Sequence, residues 1–485
     1  MRARAKTAAA LCGLLSGLSS CGEPQVDSLG QPPVVLIVFD ALSASHIGHL
    51  GYERDTTPVL DALAAEGVSF ASAFAPAPYT LASIPSLHTG RLPDHHGLTN
   101  KIAVLPEDES TLAELLGARG YWSAAAVSNL NGSSTYGLDQ GFDEFVELFH
   151  VQAGEDAEHT DFAGREFRIP RAPDFVAQAA SYLEARPADR PPFLYLHFLE
   201  PHSPYQPPEP YRSRWIDPAY QGPFAEGETE PLVGSTRPED HDAYVSVLPD
   251  DEEAARDLYD ANLAWGDAAL GEVLDLLRAE GLYDEALIVV TSDHGEAFWE
   301  HGRWGHNEHL YDEMLRVPLV IKPPAGRGGE RGAVREELVS ILDLVPSLCE
   351  WLDLSLPSAS LDGHSLAGLI EGVRSEPPGG EERVLLLRSH HRIPHVGERG
   401  ARHKTIVRRD ENRGHTLGIE HYRLDEDPGE LHDRFLEDSS VLGARAAELE
   451  RWIVEAAVHL TERGVPLTVR QEQLLEALGY GGEGE

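Results

Sequence analysis

The sequence predicts an α/β fold in which helices sandwich a mostly parallel sheet, followed by a small C-terminal antiparallel α+β subdomain. Three observations carry that expectation. Short apolar runs such as Val34–Phe39 and Ala286–Val290 have the length and composition of strands buried on both faces. They alternate with segments of helical periodicity, the βαβ rhythm of a parallel sheet. After a Pro/Gly-rich break at Ser375–Gly380 the pattern changes to VLLLRS, HKTIVRR and EHYRLDEDPGE, which reads as a small antiparallel sheet packed by a final helix. A chain of 485 residues is long enough for a large core and more than one unit. The expected division is residues 1–21, a tether at 22–31, a main domain at 32–375 and a C-terminal subdomain at 380–475.

Taken in order, the chain begins with Arg2, Arg4 and Lys6, an apolar run too short to span a bilayer, and Leu18-Ser19-Ser20-Cys21-Gly22. This resembles a bacterial lipoprotein signal peptide, cut before Cys21 and acylated on its sulfur. It implies an exported lipoprotein at the periplasmic face of a membrane or the cell surface, with the Cys21 lipid as its one membrane contact. No later run of ~20 apolar residues spans a membrane. With Cys12 removed and Cys21 acylated, Cys349 has no intrachain partner; in the helical VPSLCEWL it reads as a small buried apolar group.

Val34–Phe39 forms the first strand and ends on Asp40. Thr57-Pro58 opens a helix that stops at Gly67, and Val68–Ala75 returns as a strand. Pro76 and Pro78 stiffen the next loop, and a helix over Leu81–His88 stops at Gly90. Helix–strand units follow: TLAELLGARG into YWSAAAVSN, APDFVAQAASYLEAR into PFLYLHFLEPH, and a long helix from about Asp251 to Gly281 into the strand before Asp293. Gln206–Pro249, rich in Pro, Gly and acids, reads as a surface insertion over the mouth of the site. Arg316–Ile321 is another strand, and VSILDLVPSLCEWLDL an amphipathic helix. There are no internal repeats.

The charge balance is 39 − 81 = −42. So acidic a surface repels phosphate backbones and anionic bilayers, which excludes nucleic acid and electrostatic membrane binding. It does not exclude an anionic substrate, because a bound cation reverses the local field.

Candidate chemistry centres on ALIVVTSDHGEAFWEHGRWGH, residues 286–306. Asp293 and His294 follow a buried strand, where open α/β sheets place their ligands, and both residue types bind divalent transition metals. Alone, such a pair reads as a solvated turn. Asp40 at the end of another apolar strand, and Thr80 in a helix-entry loop, turn it into a metal site with a nucleophile. Thr80 alone reads as an N-cap; near a helix N-terminus, it also stands where free N–H groups favour an anion.

Five ordered stretches carry a family resemblance: VLIVFDALSASHIGHLGYERDTTPVLDALAAEGVSF, TLASIPSLHTGRLPDHHG, HFLEPHSPY, TSDHGE with WGH, and LYDEMLRVPLVI, joined late by HYRLDEDPGE. Over Pro33–Glu430 the chain resembles the sulfatase family within the alkaline phosphatase superfamily. The resemblance implies that superfamily's fold and an ester hydrolase with Thr80 as nucleophile, counted back from Thr89-Gly90-Arg91. Sulfatases carry Cys or Ser there, oxidised to formylglycine, with Arg four residues on. Here the residues are Thr80 and Ile84, so no formylglycine is expected. A sulfated threonine lacks the geminal diol that releases sulfate, whereas a phosphothreonine is relieved by in-line attack of water or an alcohol.

Calcium-dependent sulfatases pair two aspartates on the first strand and place Asn after the late Asp; this chain has Ala41 and His294. The implied set of Asp40, Thr80, Asp293 and His294 mixes oxygen and nitrogen ligands and favours one zinc or manganese ion over calcium. The resemblance implies that His306 contacts the transferred group or a second metal, and that His202 faces the substrate's anionic oxygens. It makes Arg91 a holder of the nucleophile loop or of those oxygens, and places Asn100 and Lys101 near the mouth. His95, His96, His301, His309, His390 and His391 read as structural or solvated.

The expected function is an exported, metal-dependent hydrolase of small-molecule, lipid or glycan esters, acting on phosphate (as a phosphodiesterase) or phosphonate esters, or on sulfate esters, through a covalent Thr80 intermediate. The alternatives are a phosphoryl or phosphoethanolamine-type transferase, a true sulfate-ester hydrolase, and a non-catalytic binding lipoprotein.

Overall fold

The computed structural model describes residues 30–101, 103–149, 159–160, 166–167, 169–225, 248–307, 309–357, 360–374, 383–389, 395–410, 415–438, 447–449 and 451. The lipoprotein signal with Cys21, most of the 22–31 tether, the 375–380 boundary, residues 226–247 of the insertion, His390, His391 and nearly all of the final helix lie outside them.

In chain order the elements that build and flank the site are β1 (Val34–Asp40), α1 (Pro58–Glu66), β2 (Val68–Phe70), α2 (Thr80–Thr89), α3 (Leu112–Ala118), β3 (Trp122–Val127), β4 (Glu144–Glu147), α4 (Ala172–Ala185), β5 (Pro192–Pro201), α5 (Pro249–Ala279), β6 (Leu287–Ser292), β7 (Ala297–Phe298), β8 (Trp304–Gly305), β9 (Leu319–Lys322), β10 (Ala333–Arg335) and α6 (Leu344–Leu352). A four-stranded antiparallel sheet follows, of β11 (Val384–Arg388), β12 (His395–Gly400), β13 (His403–Asp410) and β14 (His415–Arg423).

The main sheet has eight strands in the order β10-β2-β9-β6-β1-β5-β3-β4. Five contiguous strands, β6-β1-β5-β3-β4, run parallel throughout. Side chains alternate between two cores. Val34, Leu36 and Val38 of β1 pack on the face covered by α2, α3 and α6, while Val35, Ile37 and Phe39 pack on the face covered by α1, α4 and α5. Burial on both faces is why these strands read as unbroken apolar runs. The architecture is thus the α/β sandwich with a separate small antiparallel sheet that the sequence predicts.

Two expected strands are corrected. Val68–Ala75 divides into β2, in the main sheet, and Ala73–Phe74, in a separate three-stranded sheet. Arg316–Ile321 divides at Pro318: Arg316–Val317 joins that small sheet, while β9 joins the main one, antiparallel to β6 and β2. The β9 strand is therefore not part of the parallel set. Cys349 is buried in α6. Among the described residues no helix is long and apolar enough to cross a membrane.

Candidate active site and metal centre

The site lies at the carboxyl edge of the parallel strands. β1 ends on Asp40, Asp293 and His294 follow β6, and Asn129 comes two residues after β3. His197 lies in β5, and His202 comes directly after that strand ends. Each strand delivers a residue to one point because parallel strands end on the same side.

Asp40, Asp293 and His294 form a fully buried group whose ligand atoms all lie within 4.8 Å of one another. His294 Nε2 is 3.6 Å from Asp40 Oδ1 and 3.5 Å from Asp293 Oδ2. His294 Nδ1 lies 2.9 Å from Gly295 O; donating there leaves the Nε2 lone pair toward the carboxylates. The loop is tied to β1 by Ser292 Oγ, 2.7 Å from Phe39 O and accepting the Leu42 N–H. Ala41, in the left-handed region at φ 62°, turns its N–H onto Asp293 Oδ1. Asn129 donates its side-chain amide to Asp40 Oδ2.

Thr80 is the first residue of α2, and Tyr79 takes the N-cap position, so the Thr80 hydroxyl is not the N-cap. That hydroxyl lies 3.5 Å from Asp40 Oδ1 and 3.3 Å from His294 Nε2, so the structure brings all four of these residues together. All ten residues of α2 are buried, and Ser83 Oγ donates to Asp293 O, which locks the helix bearing Thr80 to the loop bearing Asp293 and His294. Gly90, at φ 68°, closes the helix where a side chain would meet Val345 at 2.9 Å.

The electrostatics call for a cation. Burial, then the charges of Asp293 and Glu296, push the Asp40 carboxyl well above its usual range. Burial works the same way on Asp293, but His294 and His197 outweigh it and hold that carboxyl below its ordinary value. Asp293 Oδ2 is buried without a hydrogen-bond partner. Two buried carboxylates, an imidazole and a hydroxyl fit a divalent ion that takes mixed nitrogen and oxygen ligands.

His306 and His202 stand beside the cluster. The His306 ring is 4.4 Å from that of His294 and 5.0 Å from that of His202. Burial lowers the His306 pKa to about 4 and, with His306 as neighbour, that of His202 to about 3; both are neutral at pH 7. His202 Nδ1 bonds Ser203 O.

Arg91 stands apart from the Asp40, Asp293, His294 and Thr80 group, at the other end of α2. It lies outside α2, just beyond the left-handed Gly90 that ends the helix opposite Thr80, and pairs with Glu109. Asn100 uses its side-chain oxygen to accept from Ala103 N. His95 pairs with Asp362, His96 with Ser86 and His301 with Glu313; His309 stacks on Tyr311.

Sequence reasoning missed three residues. Asn129 carried a signal in its position just past a strand end. His197, Nε2 at 3.7 Å from Asp40 Oδ2 and 3.9 Å from Asp293 Oδ2, was hidden inside an apolar strand. Glu296, buried and 2.9 Å from His306 Nδ1, required the hairpin that joins them.

The chain is similar in sequence and fold to several known proteins. The chain is 25% identical over 453 residues to an arylsulfatase of Clostridium perfringens, covering 83% of this chain and 89% of that protein. It is 28% identical over 410 residues to a multifunctional alkaline phosphatase superfamily protein of Trinickia caryophylli, covering 71% and 78%. The phosphonate monoester hydrolase of Agrobacterium radiobacter superposes with a TM-score of 0.66 at 21% identity, over 91% of this chain and 99% of that one. Residues 32–354 match the sulfatase family as a whole, and the chain therefore belongs to the sulfatase family of the alkaline phosphatase superfamily, as a sulfate- or phosphate-ester hydrolase.

Proposed function

We propose that the protein hydrolyses phosphate or phosphonate esters through a covalent ester on Thr80. The observation that carries this reading is the Thr80 hydroxyl, fully buried and held between Asp40 Oδ1 at 3.5 Å and His294 Nε2 at 3.3 Å. Asp40, Asp293, His294 and Thr80 are the residues to hold a divalent ion, zinc or manganese by their donor chemistry. Such an ion supplies Lewis-acid stabilisation of the alkoxide that a threonine needs to act as nucleophile.

The chain's own groups do the rest. The amino-terminal end of α2, where Thr80 stands, presents the positive end of the helix dipole to the anionic ester. Thr80 Oγ attacks the phosphorus in line, the leaving alcohol departs, and water then cleaves the threonine ester. His202 and His306 line the same pocket as neutral hydrogen-bonding groups. Threonine favours phosphorus over sulfur here, because a sulfated threonine has no geminal diol through which to expel sulfate. Sulfate-ester hydrolysis is the second reading, favoured by the arylsulfatase similarity.

Thr80→Ala is expected to lower turnover by at least ~10³-fold, with folding and metal content largely intact because Asp40, Asp293 and His294 remain; full activity in that variant excludes the covalent route. Aryl phosphodiesters, phosphonates, phosphomonoesters and sulfates, each assayed with zinc, manganese and calcium, decide the substrate. A sulfate preference with calcium sufficient overturns the phosphoryl reading.

The sequence of residues 1–22 further supports an exported, Cys21-anchored lipoprotein at the periplasmic face of a membrane or the cell surface. In a bacterial host that acylates lipoproteins, the wild type should incorporate labelled fatty acid and sediment with membranes. Cys21→Ala should do neither; equal labelling of the two removes the anchor.

A further inference from the structure

A two-stranded hairpin leaves the site and returns to it. Ala297 pairs with Gly305 and Phe298 with Trp304, so the antiparallel register sets Glu296 opposite His306 at the hairpin's base. The turn is closed with Trp299 at φ 65° and Gly302 at φ 71°. At the base, Glu296 Oε1 and His306 Nδ1 are 2.9 Å apart, with side chains only 2% and 8% exposed. Tyr205 OH approaches the second carboxylate oxygen at 3.4 Å.

As a device for stability this pair is poorly placed. It adds a third buried carboxylate to a pocket that already holds Asp40 and Asp293, and desolvating a charge costs several kcal/mol that such a pair recovers only in part. Its effect on the imidazole is specific. A partner on one ring nitrogen fixes the plane of a histidine and the direction in which the other nitrogen points. The His306 ring so held packs against His294 and His202.

We propose that Glu296 is a positioning residue of the reaction: it clamps His306 Nδ1 from the hairpin base and thereby holds the far edge of the imidazole against the ester group attached to Thr80. This rests on the hydrolytic reading of the site given above. Glu296 acts through His306 and touches neither the ester nor the metal-ligand atoms.

A double-mutant cycle tests it, on whichever ester the substrate panel selects and with the metal-loaded full chain. Glu296→Ala should lower kcat by about 10–100-fold, the range for removing a group that orients another, with KM little changed. In a His306→Ala background the same substitution should cost less than ~2-fold, because the residue it acts through is gone. Glu296→Gln, which keeps a hydrogen-bonding group at the same reach, should recover most of the loss. Metal content by elemental analysis and the melting temperature should match between Glu296→Gln and wild type. An equal loss from Glu296→Ala in both backgrounds overturns the proposal, as does release of the metal by Glu296→Gln. Failure of the nucleophile reading is seen separately, as turnover surviving in Thr80→Ala while the Glu296–His306 coupling persists.

Discussion

A methyl group on Gly295 would stand 2.3 Å from the carbonyl oxygen of Glu313. Nothing there can swing aside, because the obstacle is backbone and the Gly295 N–H is itself bonded to Met314 O at 2.8 Å. The absent side chain is what lets the loop bearing Asp293 and His294 lie flat against the 312–315 helical turn. Gly295→Ala should destabilise the protein by about 1–3 kcal/mol, the usual cost of overpacking, and weaken metal retention, since His294 must move with it. Chemical denaturation and metal titration check both effects; unchanged metal affinity would show that the loop shifts as a rigid piece. At this scale the sequence is legible where residues mark strand ends: Asp40, Asp293 and His294 could be placed because a parallel sheet gathers its carboxyl termini. Arg91 stands beyond the Gly90 end of α2 and pairs with Glu109, a partner eighteen residues on that no local pattern names. Glu296 and His197 depend on partners distant in sequence, and no local pattern reveals those.

The elements were legible in type and less so in membership. Val68–Ala75 and Arg316–Ile321 each look like one strand, yet each serves two sheets, and apolar periodicity does not show where a strand changes partner. The C-terminal strands were readable as antiparallel, but not what fastens them to the body. Lys404 of β13 is that fastening: its Nζ lies 2.7 Å from Asp312 and 2.8 Å from Glu430, and Arg399 of β12 also reaches Asp312 at 3.0 Å. Burial pushes the Asp312 carboxyl upward, but the two cations outweigh it and hold it far below its ordinary value; burial lifts Glu430 to about 7. A carboxylate depressed in the folded state contributes stability above its unfolded value near 4, and loses that contribution as the pH falls through the folded value. Asp312→Asn should therefore lower stability at pH 6 and flatten the decline below pH 4. Urea titrations of both proteins from pH 6 to pH 2 measure this, and parallel curves would assign the fastening to packing alone.

Across the whole molecule, the balance of −42 and the two-sided core tell different stories. The charge bears on which partners are expected, through repulsion of other polyanions. The core explains the site, because the sheet that fills the interior also aims its ligands at one edge. The fold class was readable because both properties of a buried parallel sheet, apolar runs and alternating helices, are local. The 226–247 part of the insertion lies outside the described residues, so its expected place over the mouth is untouched by the structure.

Under the proposed reading, the nucleophile rides on a helix whose ten residues are all buried. Thr80 is consequently a fixture of the interior, aimed by the same packing that keeps the protein folded, and the incoming ester must fit itself to a stationary oxygen. Diversity of substrate in such a design belongs to the rim, where loops can be rewritten without disturbing the attacking atom. Damage to the interior, by the same logic, is felt at once as misdirected chemistry.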